Sequence, residues 1–582
     1  MEIKYDPSAG GFQFNTNGAQ KPPREKKPRK AIGSKGGRIA INLAVTLIFG
    51  LIYFYISLPA LNPHAEEFYG FVFLLCLVYC GCAMLTSGFQ GEGAKGYFTF
   101  VKKQCKIPFF IVVALLAVGL IGSLTSWIVL RANSYQKLLT VQPGDFASEV
   151  DEISYDQIPM LDGASAQRLG DRKLGELADM VSQFEVAGDY TQINYQGRPV
   201  RVTPLRYGDV IKWFNNRASG LPAYLVIDMV TQNVEVVRLG SEGMKYTTAE
   251  HFSRNLYRHL RFHYPTMMFD TPIFEIDESG TPWWVCAKRE KTIGLFGGDD
   301  NNGAVLVNAL SGDCEYHEQV PSWVDHVYSA DLIIRQYDYY GQYHNGFLNS
   351  IFGQRDVTVT TQGYNYLAIG DDVWVYTGVT SVGGDESNIG FILSNQRTKE
   401  THYYAIAGAE EFSAMGSAEG QVQQMRYNAT FPLLLNIADQ PTYFMALKDA
   451  SQLVKMYAMV NVSQYQIVAT GASVMECETN YRAMLAKNGL IGEEQTEVAP
   501  TETAELHEIA GVIQEIRSAV IEGNTYFYFA LRAGDTDGGI VRASAATNLI
   551  APLLSVGDEV TVQYRDVDVG QYWIDAYDIT IS

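Results

Sequence analysis

The residues best placed to do chemistry sit in RNLYRHLRFHYP, residues 254–265. His259 and His263 are four apart, so on a helix they share a face and could share a metal ion. A zinc-hydrolase helix of the His-Glu-x-x-His type needs Glu directly after the first His, and here that residue is Leu260. The sequence shows no third ligand, and the expectation is that no metal binds. Arg254, Arg258 and Arg261 lie along the same stretch, a basic patch suited to local carboxylates or an anionic partner. FGGDDNNGA at 296–304 offers Asp299, Asp300 and Asn302, but the calcium-loop register fails: with Gly303 at the sixth position, the first and twelfth fall on Gly298 and Ala309. It reads as a solvated turn, as do GGDES at 383–387 and GDTDGG at 534–539. VPSWVDHVYSADLIIRQYDYYGQYHNGFLNS at 320–350 is dense in rings. Trp323, Tyr328, Tyr337, Tyr339, Tyr340, Tyr343 and Phe347 fill a core or, if exposed, grip a sugar or peptide, and they are the candidate binding surface. There is no Gly-x-Ser-x-Gly elbow, no His-Glu-x-x-His and no phosphate-binding loop. No catalytic residue, cofactor or metal ligand is therefore assigned.

These residues must be positioned by a chain with two electrical halves. Residues 1–131 hold 14 of the 44 Lys/Arg and 6 of the 64 Asp/Glu, a net charge of +8, which leaves −28 on residues 132–582. The basic half contains three charge-free apolar runs, 39–61, 68–87 and 107–130, each long enough to cross a hydrocarbon core about 30 Å thick. Eight Lys/Arg from Lys21 to Arg38 precede the first run, the loop to the second has none, and Lys95, Lys102, Lys103 and Lys106 precede the third. Positive charge stays in the cytoplasm. The expectation is a multi-pass cell-membrane protein with its N-terminus cytoplasmic and everything after Arg131 extracytoplasmic. The spans carry no internal charge, which argues against an ion relay. A bridge between Cys286 and Cys314 is conceivable if their strands are neighbours.

After the spans the chain repeats itself. AYLVIDMVTQNVEVV (223–237), GAVLVNALSGDCEY (303–316) and IGFILSNQRTKETHYY (389–404) each run apolar into Asp or Asn, then a turn with Thr or Ser, then alternation. The turn-forming pairs are Asp228 with Thr231, Asn308 with Ser311, and Asn395 with Thr398. FEIDESGTPWWVCAKRE (274–290) and LLLNIADQPTYFMALKD (433–449) are a second hairpin type. Helical stretches accompany them at 247–262 and 329–340. The pattern predicts tandem α+β modules, each a helix on an antiparallel sheet.

LVIDMVTQNVEVV, LVNALSGDCEY and FEIDESGTPWWV resemble the PepSY and cystatin-like family of bacterial extracytoplasmic modules, with Gln232 and Lys399 where that family's turn carries Gly. The resemblance implies a helix across a small sheet and a role in regulating a peptidase or cell-wall enzyme. After residue 505 the pattern reads three strands, a helix-like turn and two strands, the order of an OB-like barrel. Its 4 Lys/Arg against 12 Asp/Glu exclude a phosphate-backbone track, so nucleic acid is not a partner.

The expected organisation is a disordered basic tail (1–37), a three-helix anchor (38–131), a connector (132–160), α+β modules at 161–245, 246–345 and 346–487, an acidic linker (488–504) and a small all-β barrel (505–582). The expected function is a membrane-anchored extracytoplasmic binding or scaffold protein of the cell envelope, with enzyme activity left open and the balance against it. Its expected partners are the membrane and an envelope protein or cell-wall polymer. The alternative is an envelope hydrolase with a site assembled between modules.

Overall fold

The computed structural model describes residues 3–6, 11–14, 33–88, 93–153, 157–240, 242–383, 387–496, 506–521, 524–533, 536–545, 548, 550–565, 573–576 and 578–581. The chain divides into two compact units, 1–121 and 122–582.

In the first unit, Lys35–Ser57 and Glu66–Ser87 are helices, and Lys106–Ser126 begins there; all three are long and apolar enough to cross a membrane, which marks a membrane protein. The first stops where Leu58 turns left-handed ahead of Pro59. Ser34 caps its start by accepting from the Gly37 amide. Between the first two helices Thr86 donates to Asn42 Oδ1 at 3.0 Å, a buried polar link. The tail, expected to be disordered, contains a hairpin: Ile3–Asp6 pairs antiparallel with Gly11–Phe14, Tyr5 opposite Phe12. These strands combine aromatic and β-branched residues that favour pairing. The basic stretch 15–32 and the second part of the expected acidic linker, 497–504, lie outside the described residues.

The second unit contains four copies of one arrangement. Each is a helix, a short strand, then four strands in two hairpins. The helices are Gly163–Gly175, Leu256–His263, Ala330–Tyr343 and Glu411–Gln421. In each copy the short strand and the first hairpin strand both pair with the second hairpin strand. These central strands are Arg198–Tyr207, Pro282–Ile293, Asp372–Ser381 and Gln440–Lys448. The third and fourth strands follow in order, giving four five-stranded antiparallel cores. The last copy is closed by the helix Val474–Lys487.

The turn chemistry explains the repetition. Asp228, Asn308 and Asn395 each accept two backbone N–H bonds, from Val230 and Thr231, Leu310 and Ser311, and Arg397 and Thr398. The fifth position must be left-handed, and Gln232, Gly312 and Lys399 have φ of 60°, 82° and 64°. Gly is therefore not required there, only a residue that tolerates the conformation. The fourth copy turns at Asn461, which accepts from the Gln464 amide.

The copies are paired by their cores. Repeats one and two share one apolar cluster, with Leu205, Tyr224 and Leu225 against Phe274, Trp284 and Val305. Repeats three and four share another, with Tyr376 and Phe391 against Leu434, Tyr443 and Met459. The expected module 346–487 thus holds two sheets, and the helix Ala330–Tyr343, assigned in the sequence to the preceding module, packs on the third sheet through Ile333 and Tyr337. The expected connector supplies a strand: Val141–Gly144 pairs parallel with Thr401–Tyr404.

At the C-terminus, Leu506–Ile521 pairs with both Asn524–Ala533 and Glu559–Arg565, and Thr536–Ser544 extends the sheet on one side. The two ends of this six-stranded sheet are successive pieces of chain, Ile574–Asp575 and Asp578–Ile581, around a core of Ile513, Phe529, Val541 and Val562.

Candidate functional site

The aromatic segment does not form one surface. Tyr337 is buried in the third sheet's core with Val375, Val379 and Ile392, and Tyr340 is half-buried beside it. Trp323 packs against Trp283 on the outer face of the second sheet, ring centroids 5.8 Å apart. Tyr328 lies under the Lys399 ammonium at 5.3 Å, which is itself paired with Asp300 at 2.7 Å. The other three rings stay together. Tyr339 and Tyr343 lie one turn apart on the helix, and Phe347 continues the four-residue spacing past its end. They stack at successive centroid distances of 6.1 Å.

Both ends of this ladder are informative. At one end Tyr135 meets Tyr339 edge-on at 4.9 Å. Tyr135 donates to the Ser126 carbonyl at 2.7 Å, and the Phe296 amide donates to Ser126 Oγ at 2.9 Å. Gly122 has no room for a side chain, since a Cβ there would come within 2.7 Å of Leu295 and Phe296. The ladder is thus anchored on the last turn of the third apolar helix. That helix stops at Ser126, four residues before the apolar run ends, because Trp127 is extended and Ile128–Tyr135 starts a new helix. At the other end the chain leaves the ladder through Leu348, Ile351 and Phe352, which are 70%, 50% and 82% exposed. The sequence reading missed this tip; its signal is FLNSIFG (347–353), an uncharged run outside any hairpin.

The acidic stretch at 296–304 is a strand, not a solvated loop. Asp299 pairs with Lys291 at 2.5 Å and Asp300 with Lys399, so its carboxylates are already neutralised. Residues 384–386 and 534–535 of the other two acidic turns lie outside the described residues.

Three polar residues meet where repeats one, two and three adjoin. Glu275 accepts from the Asp325 amide, the His326 amide and His326 Nδ1 at 2.9, 3.0 and 2.9 Å. Asp325 Oδ2 accepts from the Asn194 amide at 2.7 Å, while Oδ1 has no partner among the described residues. Burial first, and the charge of Glu275 second, push the Asp325 carboxyl up to about 9. Two carboxyl groups and a histidine ring together could move protons, but Asp325 is 1%, Glu275 0% and His326 6% exposed. Fifty residues separate Glu275 from Asp325, so spacing could not reveal the cluster. A cavity of about 40 Å³ lined by Asp162, Arg201, Asn365 and Phe431 has room for water, not for a substrate.

His259 and His263 do share a face of Leu256–His263, and the fold brings Cys314 to them: one ligand atom from each lies within 4.8 Å of the others. Cys314 does not reach Cys286 as a disulfide partner. The strand Gly297–Asn308 runs between theirs, which separates the two backbones by roughly 10 Å, beyond disulfide reach. The basic residues of the same stretch are turned to local carbonyls: Arg254 to Arg217, Arg258 to Phe252 and Arg261 to Met267.

No family model and no curated protein matches this sequence.

Proposed function

We propose that the chain is a membrane-anchored, extracytoplasmic binding or scaffold protein of the cell envelope. The observation that carries this reading is the fourfold helix-and-sheet arrangement, which multiplies surface. The Lys/Arg distribution around the apolar helices supports an exterior placement for residues 132–582. The helix-on-sheet layout is consistent with PepSY or cystatin-like modules, and the terminal strand order with an OB-like barrel. The sealed state of Glu275, Asp325 and His326 favours binding over hydrolysis, because a substrate could not reach them.

The contact surface in this reading is the ladder Tyr339, Tyr343 and Phe347 with its tip Leu348, Ile351 and Phe352. Anchored aromatic rings lose little conformational entropy on binding, which suits them to hot spots. The partner in this reading is an envelope protein or cell-wall polymer.

The test has two parts. Single cysteines at Ser8 and Ser451, in a background lacking the native ones, are labelled in intact cells with an impermeant maleimide. Labelling at position 451 and not at 8 is expected, and the reverse pattern ends the envelope reading. A photo-crosslinking amino acid at Phe352 is then compared with one at Val520, also exposed. A discrete protein or polymer adduct specific to position 352 is expected. Adducts to lipid alone, or identical adducts at both positions, would remove the ladder as a partner surface.

A further inference from the structure

The second repeat differs from its siblings at two places that meet in space. In the other three repeats the last strand begins with Val234, Thr401 and Val468, and in the second it begins with Cys314. The helices of the other repeats contain no His or Cys, whereas the second carries His259 and His263 one turn apart. The scaffold therefore does not require these residues. It places them together: the start of the last strand brings Cys314 to the helix that carries His259 and His263.

The two imidazoles are already oriented. His259 Nε2 is 2.7 Å from the Gly312 carbonyl, and His263 Nδ1 is 2.8 Å from the His259 carbonyl. A carbonyl only accepts, so each of these nitrogens carries the hydrogen. The lone pairs are left on His259 Nδ1 and His263 Nε2. Metal-binding histidines use this arrangement, with the far nitrogen donating to a carbonyl that fixes tautomer and ring direction. The ring centroids are 4.3 Å apart. Gly312, whose carbonyl holds His259, is the left-handed residue of the repeated turn, and a Cβ there would strike the Tyr246 ring at 2.4 Å. Tyr246 in turn packs on His259 at 4.7 Å. The Tyr264 hydroxyl donates to the Cys314 carbonyl at 3.3 Å, which ties the strand end to the helix end.

We propose that His259, His263 and Cys314 form a metal site for Zn²⁺, with a fourth position open to solvent. One thiolate and two neutral imidazoles are ligands that zinc accepts in tetrahedral sites, and three protein ligands with an open fourth position are the pattern of an accessible site. Around a tetrahedral zinc the ligand atoms stand about 3.5 Å apart, so donor atoms within 4.8 Å close on the ion by side-chain rotation of about 1 Å. His263 is exposed and gives the ion its path in, while His259 and Cys314 are half-buried and supply the wall. Binding joins the helix to the repeated turn. It releases the thiol proton as the sulfur–zinc bond forms, and no oxidant or reductant takes part.

The test uses the full chain in detergent micelles, with Cys76, Cys80, Cys82 and Cys105 replaced by Ser so that no thiol of the first unit contributes. Co²⁺ serves as the spectroscopic probe and Zn²⁺ as competitor. One equivalent of Co²⁺ is expected to give the intense visible bands of a tetrahedral ion and a near-ultraviolet thiolate charge-transfer band, both abolished by one equivalent of Zn²⁺. Cys314→Ser is expected to remove the charge-transfer band. His263→Gln, at an exposed position that leaves folding intact, is expected to weaken Zn²⁺ binding by on the order of 100-fold or more, since loss of a supporting hydrogen bond alone costs about 10–100-fold. Cys477→Ala, a buried thiol in the fourth repeat, is expected to change nothing. The absence of a tetrahedral spectrum, or a charge-transfer band that survives Cys314→Ser, would overturn the site.

Discussion

Asp325→Asn tests the buried cluster most directly. Asp325 is enclosed by groups from three repeats: the Asn194 amide from the first, Glu275 from the second, and Asp371 and Asp372 from the third, with His326 adjacent in sequence and Arg397 held bidentate on Asp372 at 2.6 and 2.7 Å. An unfolded aspartate titrates at about 3.9. The folded carboxyl, pushed up to about 9, stays protonated where the unfolded chain is ionised. Folding then takes up one proton across that window. The group's contribution to stability is complete below about pH 4 and falls as pH rises towards 9. The slope is about 1.4 kcal/mol per pH unit. From pH 5.5 to 7.5 the wild-type chain should lose on the order of 3 kcal/mol from this residue. Asparagine has the same shape, can still accept from the Asn194 amide, and puts an N–H where the acid O–H stood. It cannot ionise.

The expected result is that Asp325→Asn matches wild type near pH 5 and exceeds it by about 3–4 kcal/mol at pH 7.5. The measurement is chemical denaturation of the full chain in micelles across pH, followed by tryptophan fluorescence. Only the difference between the two proteins is used, so that all other titrations cancel. Parallel pH curves from 5 to 8 would mean that Asp325 is ionised in the fold, and the burial argument would be wrong.

Asp162→Ala should cost about 3 kcal/mol, read from the denaturation midpoint, because it strips the 2.5 Å partner from buried Lys448 and the cap from Gly163–Gly175. Asn308→Ala removes two side-chain-to-backbone bonds from a repeat turn and should cost about 1–2 kcal/mol by the same measurement. Gln232→Gly relieves a left-handed non-glycine residue and should be neutral or stabilising by up to about 1 kcal/mol; a clear loss would show that Gln232 has a role beyond the turn. Gly122→Leu drives a side chain into Leu295 and Phe296, so limited proteolysis should cut faster near residues 292–298 than in wild type.

The parts that were legible from sequence are those written locally. A bilayer-length run needs no partner to be recognised, and an Asp or Asn followed three residues later by Thr or Ser states a turn by itself. The hydroxyl matters because Thr231, Ser311 and Thr398 each accept from the amide two residues on. The turn of the fourth copy is not legible in this way because Gln464 stands in that position after Asn461, although Asn461 makes the same carbonyl-side bond. What could not be read was set by distance along the chain. Glu275 and Asp325, His263 and Cys314, and Lys399 and Asp300 are pairs that only strand order brings together. The aromatic segment disperses for the opposite reason: Tyr337, Tyr339, Tyr340 and Tyr343 sit at different angles around one helix while Trp323, Tyr328 and Phe347 lie outside it, and composition does not record which way each ring faces.

The repeats themselves give a way to separate scaffold from function. Equivalent turns obey the same backbone rule, so what differs among them answers to the neighbours of each turn. At the left-handed position the first repeat has Gln232, on the surface. The second has Gly312, whose carbonyl holds His259. The third has Lys399, which reaches out of its own sheet to Asp300 of the second repeat and to the Leu138 carbonyl. One turn is thus plain, one backs a ligand-bearing helix and one braces two repeats together. Their divergence follows their surroundings: the Gly312 carbonyl meets His259, and Lys399 carries an ion pair between the second and third repeats.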